Sequence, residues 1–267
     1  MGNSFASGLI GNVVGGPTIQ LPEVSPVTEL SGNFDGVDDY VAIDDAAGLA
    51  FDGDVSLSLW FNPASLPGSV AWDYMFSLTN IPGVGQDRAV GIRGTGTDAQ
   101  IVGNTYGYGW NLPFTNTSIV ADTWYNVVAV FTGDGFSGDV QIFLDGVDKG
   151  SKTVYITDPS GVYVETAIGS FYSPIYFDGL IDEVAVFNSA LDQDDVTSIY
   201  NSGTPGDIES LGPIGWWRMG NGTGDTNASG GTPENTEVIG TVANQGTLGS
   251  SADGTGTNGP TFSNDVP

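Results

Sequence analysis

The side chains able to do chemistry in this sequence are carboxylates and aromatic rings. There are 32 acidic residues, 25 Asp and 7 Glu, against 5 basic ones, with neither Cys nor His. Cysteine nucleophiles, histidine acid–base pairs, thiolate or imidazole zinc sites and disulfides are therefore excluded. Aspartate suits turns, helix caps and oxygen-ligand metal sites. One acid stands apart. Asp182 in "GLIDEVAVFN" shares a strand parity with Leu180, Val184 and Val186, so its carboxylate falls on a largely apolar face and needs a partner. The aromatic group is Tyr106, Tyr108, Trp110 and Phe114 in "GTGTDAQIVGNTYGYGWNLPFTNT", which Trp72 and Tyr74 can join. Ring faces beside Asn and Asp suit sugar stacking. Packing onto the protein's own sheets, or a protein interface, is the competing use.

Strands must position these groups. "YVAI" (40–43) is a short strand, and "VSLSLWF" (55–61) alternates as a half-buried one. "WYNVVAVF" (124–131) is apolar on both parities and reads as a central strand covered on both faces. In "DVQIFLDGVDKGS" a strand meets Asp145-Gly146, a dipeptide suited to a type I′ turn. Residues 179–188 form a further strand that would set Asp182 and Glu183 on opposite faces. The 41 Gly fit many turns. One helix is expected, in "LDQDDVTSIYNSG" (191–203), with Asp192 as N-cap, Asp194 and Asp195 in the first turn and Gly203 as the stop. Capping explains that acidic cluster without a metal.

The chain divides into three parts. Residues 1–27, with Pro17, Pro22 and Pro26, read as an extended arm; 28–203 as the strand-rich body; 204–267 as a Gly/Thr/Asn-rich C-terminal segment. A net charge of −27 repels nucleic-acid phosphates and anionic lipid and attracts divalent cations. No stretch reaches the length of a membrane span, and the N-terminus lacks the basic segment of a signal peptide. Neither nucleic acid nor membrane is an expected partner.

Five blocks together resemble a known family: "GNFDGVDDYVAID", "VSLSLWFNP", "TWYNVVAVFTGDG", "VQIFLDGVDKGS" and "FDGLIDEVAVFNSALDQDDVTSIYN". In order and spacing they look like the laminin-G-like jelly rolls of the concanavalin A-like lectin/glucanase superfamily. The resemblance implies an all-β, two-sheet antiparallel jelly-roll sandwich with one short helix after the last core strand, plus the arm and the loop-rich extension. It also implies one structural Ca2+ where the first strand meets the last. Asp35 and Asp182 are the matching candidates, with Asp38 or Asp39 as helpers. As turn formers and a strand-end hydrogen-bonding residue, the same aspartates need no ion. The family's glycanases carry a Glu-x-Asp-x-(x)-Glu pattern, which is missing here: the seven Glu are scattered. The expectation is a protein without enzymatic activity.

"GWWRMGNGTGDT" (215–226) resembles the start of such a module displaced to the C-terminus. The tail closes its own sandwich, pairs with a neighbour, or packs as the remnant of a tandem module, and Trp216 and Trp217 are its expected interface residues. The tail also resembles structural proteins of tailed phages. That resemblance implies a virion structural or decoration protein, homo-oligomeric, at a particle surface. A carbohydrate-binding or adhesin module, extracellular or on a cell surface, is the alternative.

Overall fold

Alternating apolar residues bring nearly every strand of this chain to the wall of one interior. The computed structural model describes residues 29–43, 49, 53–69, 71–78, 88–104, 112–114, 117–133, 137–155, 166–171 and 175–267. The strands begin with β1 (Ser31–Asp35), β2 (Tyr40–Ile43), β3 (Val55–Pro63), β4 (Trp72–Leu78) and β5 (Arg88–Gly94). Next come β6 (Ala99–Asn104), β7 (Leu112–Pro113), β8 (Tyr125–Gly133), β9 (Ser137–Leu144) and β10 (Val147–Tyr155). β11 (Thr166–Ile168), β12 (Ser170–Phe171), β13 (Ile175–Tyr176) and β14 (Asp178–Phe187) lead to helix α1 (Gln193–Tyr200). The C-terminal segment adds β15 (Gly215–Trp217), β16 (Thr226–Asn227), β17 (Ile239–Val242), β18 (Gly254–Thr257) and β19 (Thr261–Ser263).

The fold is a two-sheet antiparallel jelly-roll sandwich with one α-helix among the described residues. Sheet A runs β10-β9-β8-β3-β14-β1-β19, with β15 also paired to β14; sheet B runs β16-β17-β18-β2-β11-β4-β5-β6-β7. Between them lie Phe34, Phe61, Phe76, Ile92, Ile101, Phe131, Val184 and Trp217. A second apolar cluster, with Val128, Val130, Phe187, Val196, Ile199 and Trp216, fills the space between sheet A and α1. β3 is therefore buried on both faces rather than half-buried: Ser56 and Ser58 face the covered side, and Ser56 Oγ donates to Ser189 O at 2.7 Å.

Local chemistry sets the corners. Asp145 and Gly146 both have positive φ, 52° and 76°, as a type I′ turn requires. Asp192 caps α1, its side chain accepting from the N–H groups of Asp194 and Asp195, while Asp195 closes the capping box. The helix stops earlier than Gly203, because Asn201 takes the left-handed cap at φ 42°.

The tail is woven into both sheets of its own chain. β15 pairs with Val184–Val186 of β14, directly in line with β1, which pairs with the earlier part of the same edge. β19 then extends sheet A beyond β1, and β18 extends sheet B beyond β2. Of the three arrangements open to the sequence, the tail closes its own sandwich. Trp217 is fully buried, and its Nε1 donates to Ala252 O at 2.8 Å. Trp216 is 7% exposed and donates Nε1 to Glu183 at 2.6 Å. Beyond β19, Asp265 reaches back across sheet A: its carbonyl accepts from Ser31 Oγ, and its carboxylate from Trp124 Nε1 at 3.0 Å.

Candidate ligand-binding face and metal site

On β4 and β5 the register sorts side chains between the interior and the outward face of sheet B. Trp72 lies opposite Arg93, and Arg93 opposite Gln100 of β6, making one cross-strand row. Ile92 and Ile101, one residue along, belong to the interior, so this row faces outward. All three side chains are partly exposed, and the Arg93 guanidinium lies 5.1 Å from the Trp72 ring centroid. Tyr74 shares the face but is only 2% exposed, because Phe171 lies 4.6 Å from its ring. Gly91 makes room for it: a Cβ there would meet the Tyr74 ring at 2.9 Å. Among the aromatic side chains of β4, β5 and β6 that the structure describes, Trp72 is thus the one that solvent partly reaches, and Tyr74 is a packing residue. Phe114 also packs in the interior, 2% exposed. Tyr106, Tyr108 and Trp110 lie outside the described residues, in the connection between β6 and β7.

The acidic residues fall into two separate places. Asp35, Asp38 and Asp39, at the β1–β2 corner, bring carboxylate oxygens within 4.8 Å of one another. Asp35 Oδ1 accepts from the Val37 N–H at 2.8 Å, and Asp39 Oδ2 from the Asp35 N–H at 3.2 Å. Gly36 turns the chain at φ 70°, and a Cβ there would lie 2.7 Å from that of Asp178. Burial pushes the Asp39 carboxyl up, and the neighbouring charges of Asp35 and Asp38 add to it. Three repelling carboxylates at this spacing are a donor set that a hard cation fits.

Asp182 is not part of that group. Asp35 pairs with Asp178, whereas Asp182 lies four residues further along β14, roughly 13 Å away at strand spacing. The expected pairing of Asp35 with Asp182 around one ion therefore fails on register. The parity expected for β14 also breaks, because a bulge falls between Asp182 and Ala185 and Glu183 takes φ 48°. Val184 and Val186 point to the interior, whereas Asp182 sits opposite Trp60, whose ring stacks on Tyr200 of α1. Both carboxylates are on the helix side, rather than on opposite faces. Asp182 Oδ1 accepts from the Glu183 N–H at 2.8 Å, and Glu183 pairs with Arg218 Nε at 2.9 Å. Burial, followed by the Glu183 charge, raises Asp182 well above the usual carboxylate range. Glu183 is also raised by burial, against the pull of Arg218.

Sequence reasoning missed Arg93, Gln100 and the Arg218–Glu183 pair. The available signal was the scarcity of cations, which makes the two arginines in "RAVGIRG" conspicuous.

The two packed sheets define the class as a concanavalin A-like β-sandwich. The family model described as the concanavalin A-like lectin/glucanases superfamily matches residues 35–197, and the chain belongs to that superfamily. A solved structure from Bacteroides ovatus, described as carbohydrate-binding, superposes with a TM-score of 0.57 at 17% identity. The match covers 88% of this chain and 59% of that one, so this chain spans about three fifths of its length. Domain 4 of an extracellular arabinanase from Geobacillus stearothermophilus, solved with arabinotriose, gives 0.43 at 19% identity, covering 63% and 87% of the two chains. A CBM40 of a Ruminococcus gnavus sialidase, bound to sialyllactose, gives 0.45 at 10% identity, covering 63% and 96%. No curated protein matches the sequence.

Asp73 carries a pH dependence. Burial, then the charge of Asp178, pushes its carboxyl from 3.8 to about 7. Folding takes up a proton between those values, so this group's contribution to stability falls as pH rises through that window and is flat above it. Asp73→Asn should stabilise the chain by about 1–2 kcal/mol at pH 8, after discounting for solvent screening. The gain should be absent at pH 3.5, below both values. Denaturant melts at the two pH values check this; an equal effect at both contradicts it.

Proposed function

We propose that this chain is a non-catalytic glycan-binding module whose ligand lies against the outward face of sheet B. The observation that carries the reading is the partly exposed Trp72 in one row with Arg93 and Gln100. An indole beside forked N–H donors and an amide matches a sugar's apolar ring face and its hydroxyls. Tyr106, Tyr108 and Trp110, which lie outside the described residues, belong to the proposal as further sugar-stacking rings. The fold alone does not decide ligand binding. The absence of catalysis is supported by Asp182 and Glu183, the adjacent buried pair, which are engaged by the backbone, Arg218 and Trp216. On a glycan array, hits should weaken about tenfold or more with Trp72→Ala, and also with Trp110→Ala. An empty array, or hits indifferent to both changes, contradicts the reading.

One Ca2+ on Asp35, Asp38 and Asp39 is the second part of the proposal, with Asp182 outside the ligand set. Millimolar Ca2+ should raise the melting temperature, a chelator should remove the rise, and Asp35→Asn should abolish it. A melting temperature indifferent to all three leaves these residues as turn formers.

The third part concerns display. In this reading the module is displayed on a virion surface and assembles with other copies or virion proteins through residues 1–27, which the tail's resemblance to structural proteins of tailed phages supports; an extracellular or cell surface is the alternative. Mass spectrometry of purified particles should detect the chain, and its absence there favours the alternative.

A further inference from the structure

Of the five basic residues in this acidic chain, four are engaged within the protein. Arg218 is bound to Glu183. Arg88 is buried with its guanidinium 5.6 Å from the Phe131 ring, Lys152 lies 5.0 Å over Phe114, and Lys149 acts on Asp145. Arg93 differs. Its guanidinium stacks on Trp72, its Nε is buried without a hydrogen-bond partner, and among the described residues no carboxylate forms a salt bridge with it. Two acids lie close in sequence on these strands, and both answer to other groups. Asp73 responds to burial and Asp178, while Asp98 is held by Thr95 and Ser118. Among the described residues, no carboxylate forms an ion pair with this guanidinium.

We propose that Arg93 anchors the acid group of a glycan bearing an isolated sugar carboxylate, such as a single uronic or sialic acid on an otherwise neutral oligosaccharide. This deepens the glycan-binding reading and rests on it. The planar guanidinium offers N–H donors in a fork that matches a carboxylate in bidentate geometry. Stacking on Trp72 fixes the plane of that fork, and Gln100, next in the row, supplies an amide for a neighbouring hydroxyl. A net charge of −27 repels a polyanion at long range, so the arrangement favours one charge on a neutral chain over a polyuronate. A sulfate ester shares the oxyanion geometry, and the test separates the two.

The experiment is calorimetric titration of the full chain with matched sugars. The pairs are glucuronic-acid-branched xylotetraose against xylotetraose, and sialyllactose against lactose, with sulfated lactose as a third arm. In at least one pair the carboxylated member should bind about tenfold more tightly than the neutral one. Arg93→Gln should weaken the carboxylated member about tenfold more than the neutral one, which removes that preference. Arg93→Lys, keeping the charge without the fork, should retain only part of it. Circular dichroism checks that both variants fold. Equal binding within both pairs, or a preference that survives Arg93→Gln, overturns the carboxylate assignment and leaves the glycan reading standing. A preference confined to sulfated lactose overturns it as well. Failure to bind any sugar, here and on the glycan array, overturns both.

Discussion

Everything in this structure hangs on the point in β14 where two different strands share one edge. Between the stretch paired with β1 and the stretch paired with β15 lie Asp182 and Glu183, the bulge residues. Glu183 adopts φ 48° there, a conformation that costs energy for a residue with a Cβ. Its carboxylate is met by Trp216 Nε1 at 2.6 Å and Arg218 Nε at 2.9 Å, two groups the tail delivers. Without the tail, that carboxylate would sit beside the Asp182 carboxylate with no counter-charge, which burial makes expensive. The tail is thereby part of the fold rather than an appendage to it.

The same junction explains how both sheets are completed. From Trp217, in the interior, the chain turns over Asp225, whose carboxylate accepts from the N–H groups of Gly220, Gly222 and Ala243. It then lays β18 along β2 and β19 along β1. Sheet A is covered by α1 and by the last residues of the chain. The outward face of sheet B, on β4, β5 and β6, keeps partly exposed side chains fixed by register, and a binding row needs such rigidity.

The sequence carried the strands because alternation and turn chemistry are local. "VSLSLWF", Asp145-Gly146 and the Asp192 cap each announce themselves within a few residues. What it hid depends on distant partners. The bulge at Glu183 is chosen by Trp216 and Arg218, which lie more than thirty residues away. The burial of both faces of β3 depends on α1 and the C-terminal segment, and the withdrawal of Tyr74 depends on Phe171. Arg93 stood out by the scarcity of cations, but its place was hidden for the same reason: its row with Trp72 and Gln100 exists only once three strands are in register. The aspartates of "FDGVDDYV" were legible as a group, but their distance from Asp182 required the pairing of β1 with β14.

Thermal unfolding of residues 29–203, compared with residues 29–267, measures this dependence most directly. The account predicts that the shorter chain, lacking Trp217, β18, β19 and the partners of Glu183, shows no cooperative transition. A cooperative melt of 29–203 within a few degrees of the longer chain would contradict it.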